Sequence, residues 1–131
     1  MRYMTIYKAA ETGTPPTQQE QEAMGNLIAE MSKLGVLVRT DGLLPSSRGV
    51  RVRKTTDGKI TVTDGPFTES KEVVGGYAII EVKSKDEAIE WTKKFLKVVP
   101  SGESEVREMY VQPAFDADAA HGSVQNTATQ R

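Results

Sequence analysis

Val73-Val74-Gly75-Gly76-Tyr77-Ala78-Ile79-Ile80-Glu81-Val82 presents apolar side chains on both faces of an alternating strand. Such a strand needs cover above and below, which places it in the middle of a sheet. The Gly75-Gly76 pair near its start marks a bulge or a point where another group approaches the backbone closely. The remaining segments must arrange themselves around this strand.

Residues 2 to 8 form a first strand, with Met4 and Ile6 on one face and Tyr3 and Tyr7 on the other, both expected to be buried. After a loop through Gly13, Pro15 and Pro16, Thr17 followed by Glu20 three residues on forms a capping box and opens a helix. Met24, Leu27, Ile28, Met31 and Leu34 recur along it at helical spacing, and Gly35 ends it as a left-handed cap. Val36 to Arg39 is a short β-branched strand, broken by Asp41-Gly42, and Leu43-Leu44-Pro45-Ser46-Ser47 is a connector. A second capping box, Ser84 with Glu87, opens a helix whose stripe is Ala88, Trp91, Thr92, Phe95 and Val99, ended by Pro100. Glu105 to Gln112 is a final strand, with Val106 and Tyr110 facing one way and Met109 and Val111 the other. From Pro113 on there is little hydrocarbon, so residues 113–131 are expected to be a mobile tail behind a domain of residues 1–112.

Arg48 to Thr63 is expected to form a hairpin turning at Asp57-Gly58, and side-chain sorting decides its register. A two-residue loop would set Arg53 opposite Val62, mixing charge and hydrocarbon. A three-residue loop, Thr56-Asp57-Gly58 with Gly58 left-handed, gathers Val50, Val52, Ile60 and Val62 on one face and Arg51, Arg53, Thr61 and Thr63 on the other. In that register Asp64 continues the apolar row, so its carboxylate is expected to point toward the apolar side and not to open water, where it would need partners.

The element order is therefore an α+β, ferredoxin-like βαββαβ arrangement with an inserted β-hairpin. Its helices cover one face of the sheet only. The other face carries apolar residues of its own, and a homodimer packing sheet to sheet would cover it.

A near-balance of 17 Lys plus Arg against 18 Asp plus Glu argues against nucleic acid and anionic membrane as partners. The chain has no Cys, which removes disulfides, thiolate metal sites and a cysteine nucleophile. No apolar run has the length of a signal peptide core or a membrane span, and a cytoplasmic location is expected. Nothing offers a metal cluster, a phosphate loop or a nucleophile–base pair, so no cofactor is expected.

The site candidate is the turn Asp64-Gly65-Pro66-Phe67-Thr68-Glu69-Ser70-Lys71-Glu72 at the entry to the central strand. Asp64 is the candidate catalytic residue, a pocket carboxylate acting as base or ligand acceptor. The plainer alternative is a turn carboxylate capping its own backbone, the commoner use of Asp-Gly-Pro. Phe67 can wall a pocket or anchor the turn. Glu69, Lys71 and Glu72 can hold a polar ligand or form a solvated segment. Arg51 and Arg53 can take a carboxylate or phosphate by bidentate bonding, or form the wet face of a hairpin. Tyr77, with Tyr3, Tyr7 and Tyr110, can bring a hydroxyl to a cavity or serve the core. The single His, His121, lies in the expected tail.

The string Thr63 to Glu72, followed by Gly75-Gly76-Tyr77, resembles the signature of the DGPF family, a branch of the YCII-related proteins. The likeness runs from residue 2 to about residue 112, through Gly35-Val36-Leu37, Leu44-Pro45 and Val50-Arg51-Val52-Arg53. It implies a dimeric α+β barrel of ferredoxin-like subunits, and members often encoded beside extracytoplasmic-function sigma factors. YCII-type proteins outside this branch are linked to catalysis through a His and Asp pair, the His near the start of the first helix. Here that region reads Thr17-Gln18-Gln19-Glu20-Gln21-Glu22, with no His.

Three functions fit these residues. The first is a homodimeric small-molecule-binding module with a pocket near the Asp64–Phe67 turn. The second is a metal-independent enzyme using Asp64, Glu69 or Glu72 as general base, which needs a carboxylate of raised pKa at a cleft. The third is an interaction protein docking a regulatory factor, which needs an exposed apolar patch beyond any dimer contact.

Overall fold

The computed structural model describes residues 1–110. Its elements in order are β1 (Arg2–Ala9), α1 (Gln18–Lys33), β2 (Leu37–Gly42), a single 3-10 turn (Ser46–Arg48), β3 (Val50–Lys54), β4 (Ile60–Asp64), β5 (Val73–Glu81), α2 (Lys85–Val98) and β6 (Glu103–Glu108). The main sheet is antiparallel in the order β2-β5-β1-β6, and β3 and β4 form a separate two-stranded sheet. With β3 and β4 set aside, this is the strand order of a ferredoxin-like α+β fold. Val111, Gln112, the expected tail and His121 lie outside the described residues.

β5 sits between β2 and β1, where its two apolar faces are needed. Its register against β1 shifts at Gly75, which is skipped between the Tyr7–Gly76 and Lys8–Val74 pairs. A Cβ on Gly76 would stand 2.9 Å from the Asp41 carbonyl oxygen, so β2 can lie this close only to a glycine.

Thr17 caps α1 with both halves of a capping box, its hydroxyl accepting from the Glu20 N–H while the Glu20 carboxylate accepts from the Thr17 N–H. At α2 only half of the expected box forms. The Ser84 hydroxyl accepts from the Glu87 N–H, but the Glu87 carboxylate reaches one residue further back, to the Lys83 N–H, and also takes the Trp91 indole N–H. Gly35 adopts φ +73 after α1, as a left-handed residue following a helix should. Leu34, however, is exposed: it is the C-cap residue, its N–H still bonded to the Glu30 carbonyl, but its side chain lies outside the buried stripe of Leu27 and Met31.

Two strand boundaries differ from the sequence expectation. Asp41-Gly42 does not break β2: both residues pair with β5, opposite Tyr77 and Gly76, because the long central strand extends the ladder past Arg39. β6 starts at Glu103 and stops at Glu108, so Met109 and Tyr110 follow the strand and Tyr110 is almost fully exposed.

The buried core, Tyr3, Leu27, Met31, Val36, Ile80, Val82 and Ala88, lies between the helices and one sheet face. Tyr7 sits on that face too, its ring edge-on to Phe95 with centroids 5.1 Å apart. By alternation Met4 and Ile6 project from the opposite face beside Ile79 and Tyr77, where no helix covers them and they are only half-buried.

Candidate functional site

Gly65, at the end of β4, donates its N–H to the Gly49 carbonyl, closing the base of the β3–β4 hairpin. A Cβ on Gly65 would meet the Ser46 carbonyl oxygen at 1.8 Å, so only glycine permits this approach. The Phe67 N–H donates to the Ser46 hydroxyl at 3.0 Å, and the Phe67 ring packs against Gly49 and beneath the Arg51 guanidinium, 3.9 Å from its centroid. Arg51 also donates to Glu69 and, at 3.0 Å, to the Ser70 hydroxyl. Ser46 is held from the far side by Glu11, whose carboxylate accepts the Ser46 N–H and hydroxyl, each at 2.6 Å. These two bonds, the hydroxyl first, hold the Glu11 carboxyl below its ordinary value. The motif is thus a clasp fixing the hairpin base to the connector.

Asp64 stands differently from the expectation. It does continue the row of Val50, Val52, Ile60 and Val62, since β3 and β4 pair with Val50 opposite Asp64 and Val52 opposite Val62. That face is uncovered, with Val52 66% and Val62 65% exposed, so Asp64 is exposed as well and its carboxylate meets water. Arg53, Glu69, Lys71 and Glu72 are exposed too.

The cavity lies elsewhere. A space of about 610 Å³ opens between the helices and the sheet and reaches the core residues Leu27, Met31 and Ile80. Its walls are Met24 and Ile28 of α1, Trp91 and Phe95 of α2, and its floor is Thr5, Ala78 and Gly76 of β1 and β5. Of the turn and hairpin residues that the sequence nominated, Asp64, Phe67, Glu69, Lys71, Glu72, Arg51 and Arg53, none borders it, whereas two of the four tyrosines considered for a cavity, Tyr7 and Tyr77, do.

Three hydroxyl-bearing residues around this space, Tyr7, Thr40 and Thr92, spend the hydroxyl proton on a backbone carbonyl. Tyr7 donates to Ser101, Thr40 to Tyr77 at 2.9 Å and Thr92 to Ala88 at 2.8 Å. Their remaining capacity is to accept. Burial, then Glu72, then Glu20, push the Tyr7 hydroxyl above its ordinary value and keep it protonated. Tyr7 is fixed between Phe95 and Gly102, where a Cβ would stand 2.5 Å from its ring.

On the opposite sheet face, the Tyr77 hydroxyl donates to Asp41 at 2.6 Å, and the Arg39 Nε–H donates to Asp41 at 2.8 Å and to the Tyr77 hydroxyl at 3.1 Å. The tyrosine hydroxyl, then Arg39, hold the Asp41 carboxyl below its ordinary value. Asp-Gly is ordinary turn chemistry, which hides this cluster in the sequence. Pairing of Asp41 with an aromatic of the central strand was visible only once β2 extended. Trp91 and Phe95 were assigned to the helical stripe that they do occupy; nothing in spacing alone separates a core wall from a cavity wall.

Among the described residues no helix is long and apolar enough to cross a membrane, and no cluster of three or more His, Cys, Asp or Glu could hold a metal. The YCII-related domain family matches residues 1–111. An uncharacterized protein of Rhizobium meliloti (strain 1021) is 32% identical over 99 residues, which cover 70% of this chain and 77% of that protein. Together with the ferredoxin-like order of the main sheet, these matches show that the chain belongs to the YCII-related family.

Proposed function

We propose that this protein is a binding module for a small, largely apolar molecule bearing a hydrogen-bond donor, such as an arylamine or an alcohol. The observation that carries this is the cavity of about 610 Å³, walled by Met, Ile, Trp and Phe side chains and edged by hydroxyls whose protons are already spent. Its volume falls within the range of small-molecule sites, roughly 300–1,000 Å³. Hydroxyl oxygens left with only lone pairs favour a donor, and the field of Glu72 and Glu20 at Tyr7 disfavours an anion.

Binding is favoured over general-base catalysis. Among the described residues, every carboxyl with a resolved shift, Asp41 included, is moved down and is a weaker base for it. The Thr63–Glu72 string supports membership of the DGPF branch. The half-buried Met4, Ile6 and Ile79 on the helix-free sheet face support pairing of two chains through that face.

Trp91 is the single tryptophan and walls the cavity, so its emission reports occupancy. Titration with N-phenyl-1-naphthylamine, apolar with one N–H donor, is expected to quench Trp91 saturably, with 1-naphthoate at least tenfold weaker. Equal binding of amine and carboxylate would overturn the donor preference, and no quenching by either would overturn the binding reading.

A further inference from the structure

We infer that the apolar face of the β3–β4 hairpin docks against the same face of a second copy of this chain, the two hairpins running antiparallel across a two-fold axis. Val50, Val52, Ile60 and Val62 are each more than half exposed on one face. The hairpin joins no strand of the main sheet, and a lone two-stranded hairpin is marginally stable in water without cover. Four β-branched side chains held in a row on such an element form a surface prepared for an occupant.

The charges at the two ends of the row identify the occupant. Cross-strand pairs on this face are Val50–Asp64 at the base, Val52–Val62 in the middle and Lys54–Ile60 toward the tip. Among the described residues neither Asp64 nor Lys54 takes part in an ion pair. A two-fold axis lying between the faces, perpendicular to the strands and passing at the Val52–Val62 pair, sets the base of one hairpin over the tip of the other. Each Asp64 then comes within reach of the second copy's Lys54, and valine meets valine at the axis. The parallel alternative, tip over tip, would bring like charges together. A face with apolar residues at its centre and opposite charges at its two ends is complementary to itself, which is what an isologous contact requires.

Four side chains supply only part of the roughly 800 Å² that each partner buries in a stable interface. The inference therefore rests on the pairing of chains proposed above and adds the hairpin to the surface that pairs. It also gives Asp64, exposed and unpaired in one chain, a partner in the other.

The absence of native Cys makes the test direct. Val52→Cys, at the axis, is expected to couple into covalent dimers with a short bismaleimide, whereas Lys59→Cys, at the tip, is not. Lys54→Glu and Asp64→Lys should each weaken dimerisation about tenfold by sedimentation, and the double variant should restore it. All four positions are exposed, so folding is not at stake. A wild-type dimer in which Val52→Cys stays uncoupled overturns the hairpin contact and leaves the sheet-face pairing standing. Coupling of Lys59→Cys to itself overturns the antiparallel arrangement. A wild-type monomer at high micromolar concentration overturns the pairing and the hairpin contact together, as would binding of the hairpin only to an unrelated protein.

Discussion

Gly65 and Ser46 stand so close that a single added carbon would lie 1.8 Å from the Ser46 carbonyl oxygen. The most distinctive string in the sequence is therefore a joint: Gly65 lets the hairpin base meet the connector, Phe67 bonds the Ser46 hydroxyl, and Glu11 holds Ser46 from behind.

Gly65→Ala has no side-chain end to push aside, only a backbone carbonyl, and should destabilise the fold by about 3 kcal/mol. Gly25 is the contrast. It lies in α1 with nothing within 4 Å of a built Cβ, so Gly25→Ala should stabilise by about 0.5–1 kcal/mol. Urea unfolding midpoints check both; equal effects of the two substitutions would contradict the joint.

The Glu11 carboxyl is held below its ordinary value of 4.5 by the Ser46 hydroxyl and N–H. A folded-state pKa that is lowered contributes stability above the unfolded value and loses it as pH falls through the folded one. Glu11→Gln should therefore lower the urea midpoint at neutral pH, and its difference from wild type should close as pH drops below about 4.5. A difference that persists unchanged in acid would mean that the carboxylate is not what holds Ser46.

Tyr77→Phe removes the largest single cause that lowers the Asp41 carboxyl, leaving the hydrogen bond and the charge of Arg39. Its titration, followed by the carboxyl carbon signal, should move upward toward the ordinary aspartate value. An unmoved titration would show that the hydroxyl is not bonded there in solution.

Much of the scaffold was legible in the sequence because it rests on local chemistry. Thr17 with Glu20 marked one helix start, Ser84 the other, Gly75-Gly76 marked the bulge, and the sorting of Val50, Val52, Ile60 and Val62 from Arg51 and Arg53 matched the observed strand register. Asp64 was read correctly as to row and wrongly as to surroundings, since alternation says which side chains share a face and not whether anything covers it. Of the cavity, only the tyrosines Tyr7 and Tyr77 were legible, and its place between the helices and the sheet was not. It lies between elements distant in the chain, and Met24, Ile28, Trp91 and Phe95 follow the same 3.6-residue spacing whether they meet one another or an open space. Ser46 and Glu11 gave no signal either, since they come together only in the folded chain.

The Asp64 turn is a joint, and the proposed site is the cavity under Trp91. Quenching of Trp91 by N-phenyl-1-naphthylamine in Asp64→Asn and Ile28→Phe tests it most directly. The expected result is wild-type binding in Asp64→Asn and at least tenfold weaker binding in Ile28→Phe, whose larger ring fills the wall; lost binding in Asp64→Asn with full binding in Ile28→Phe would contradict it.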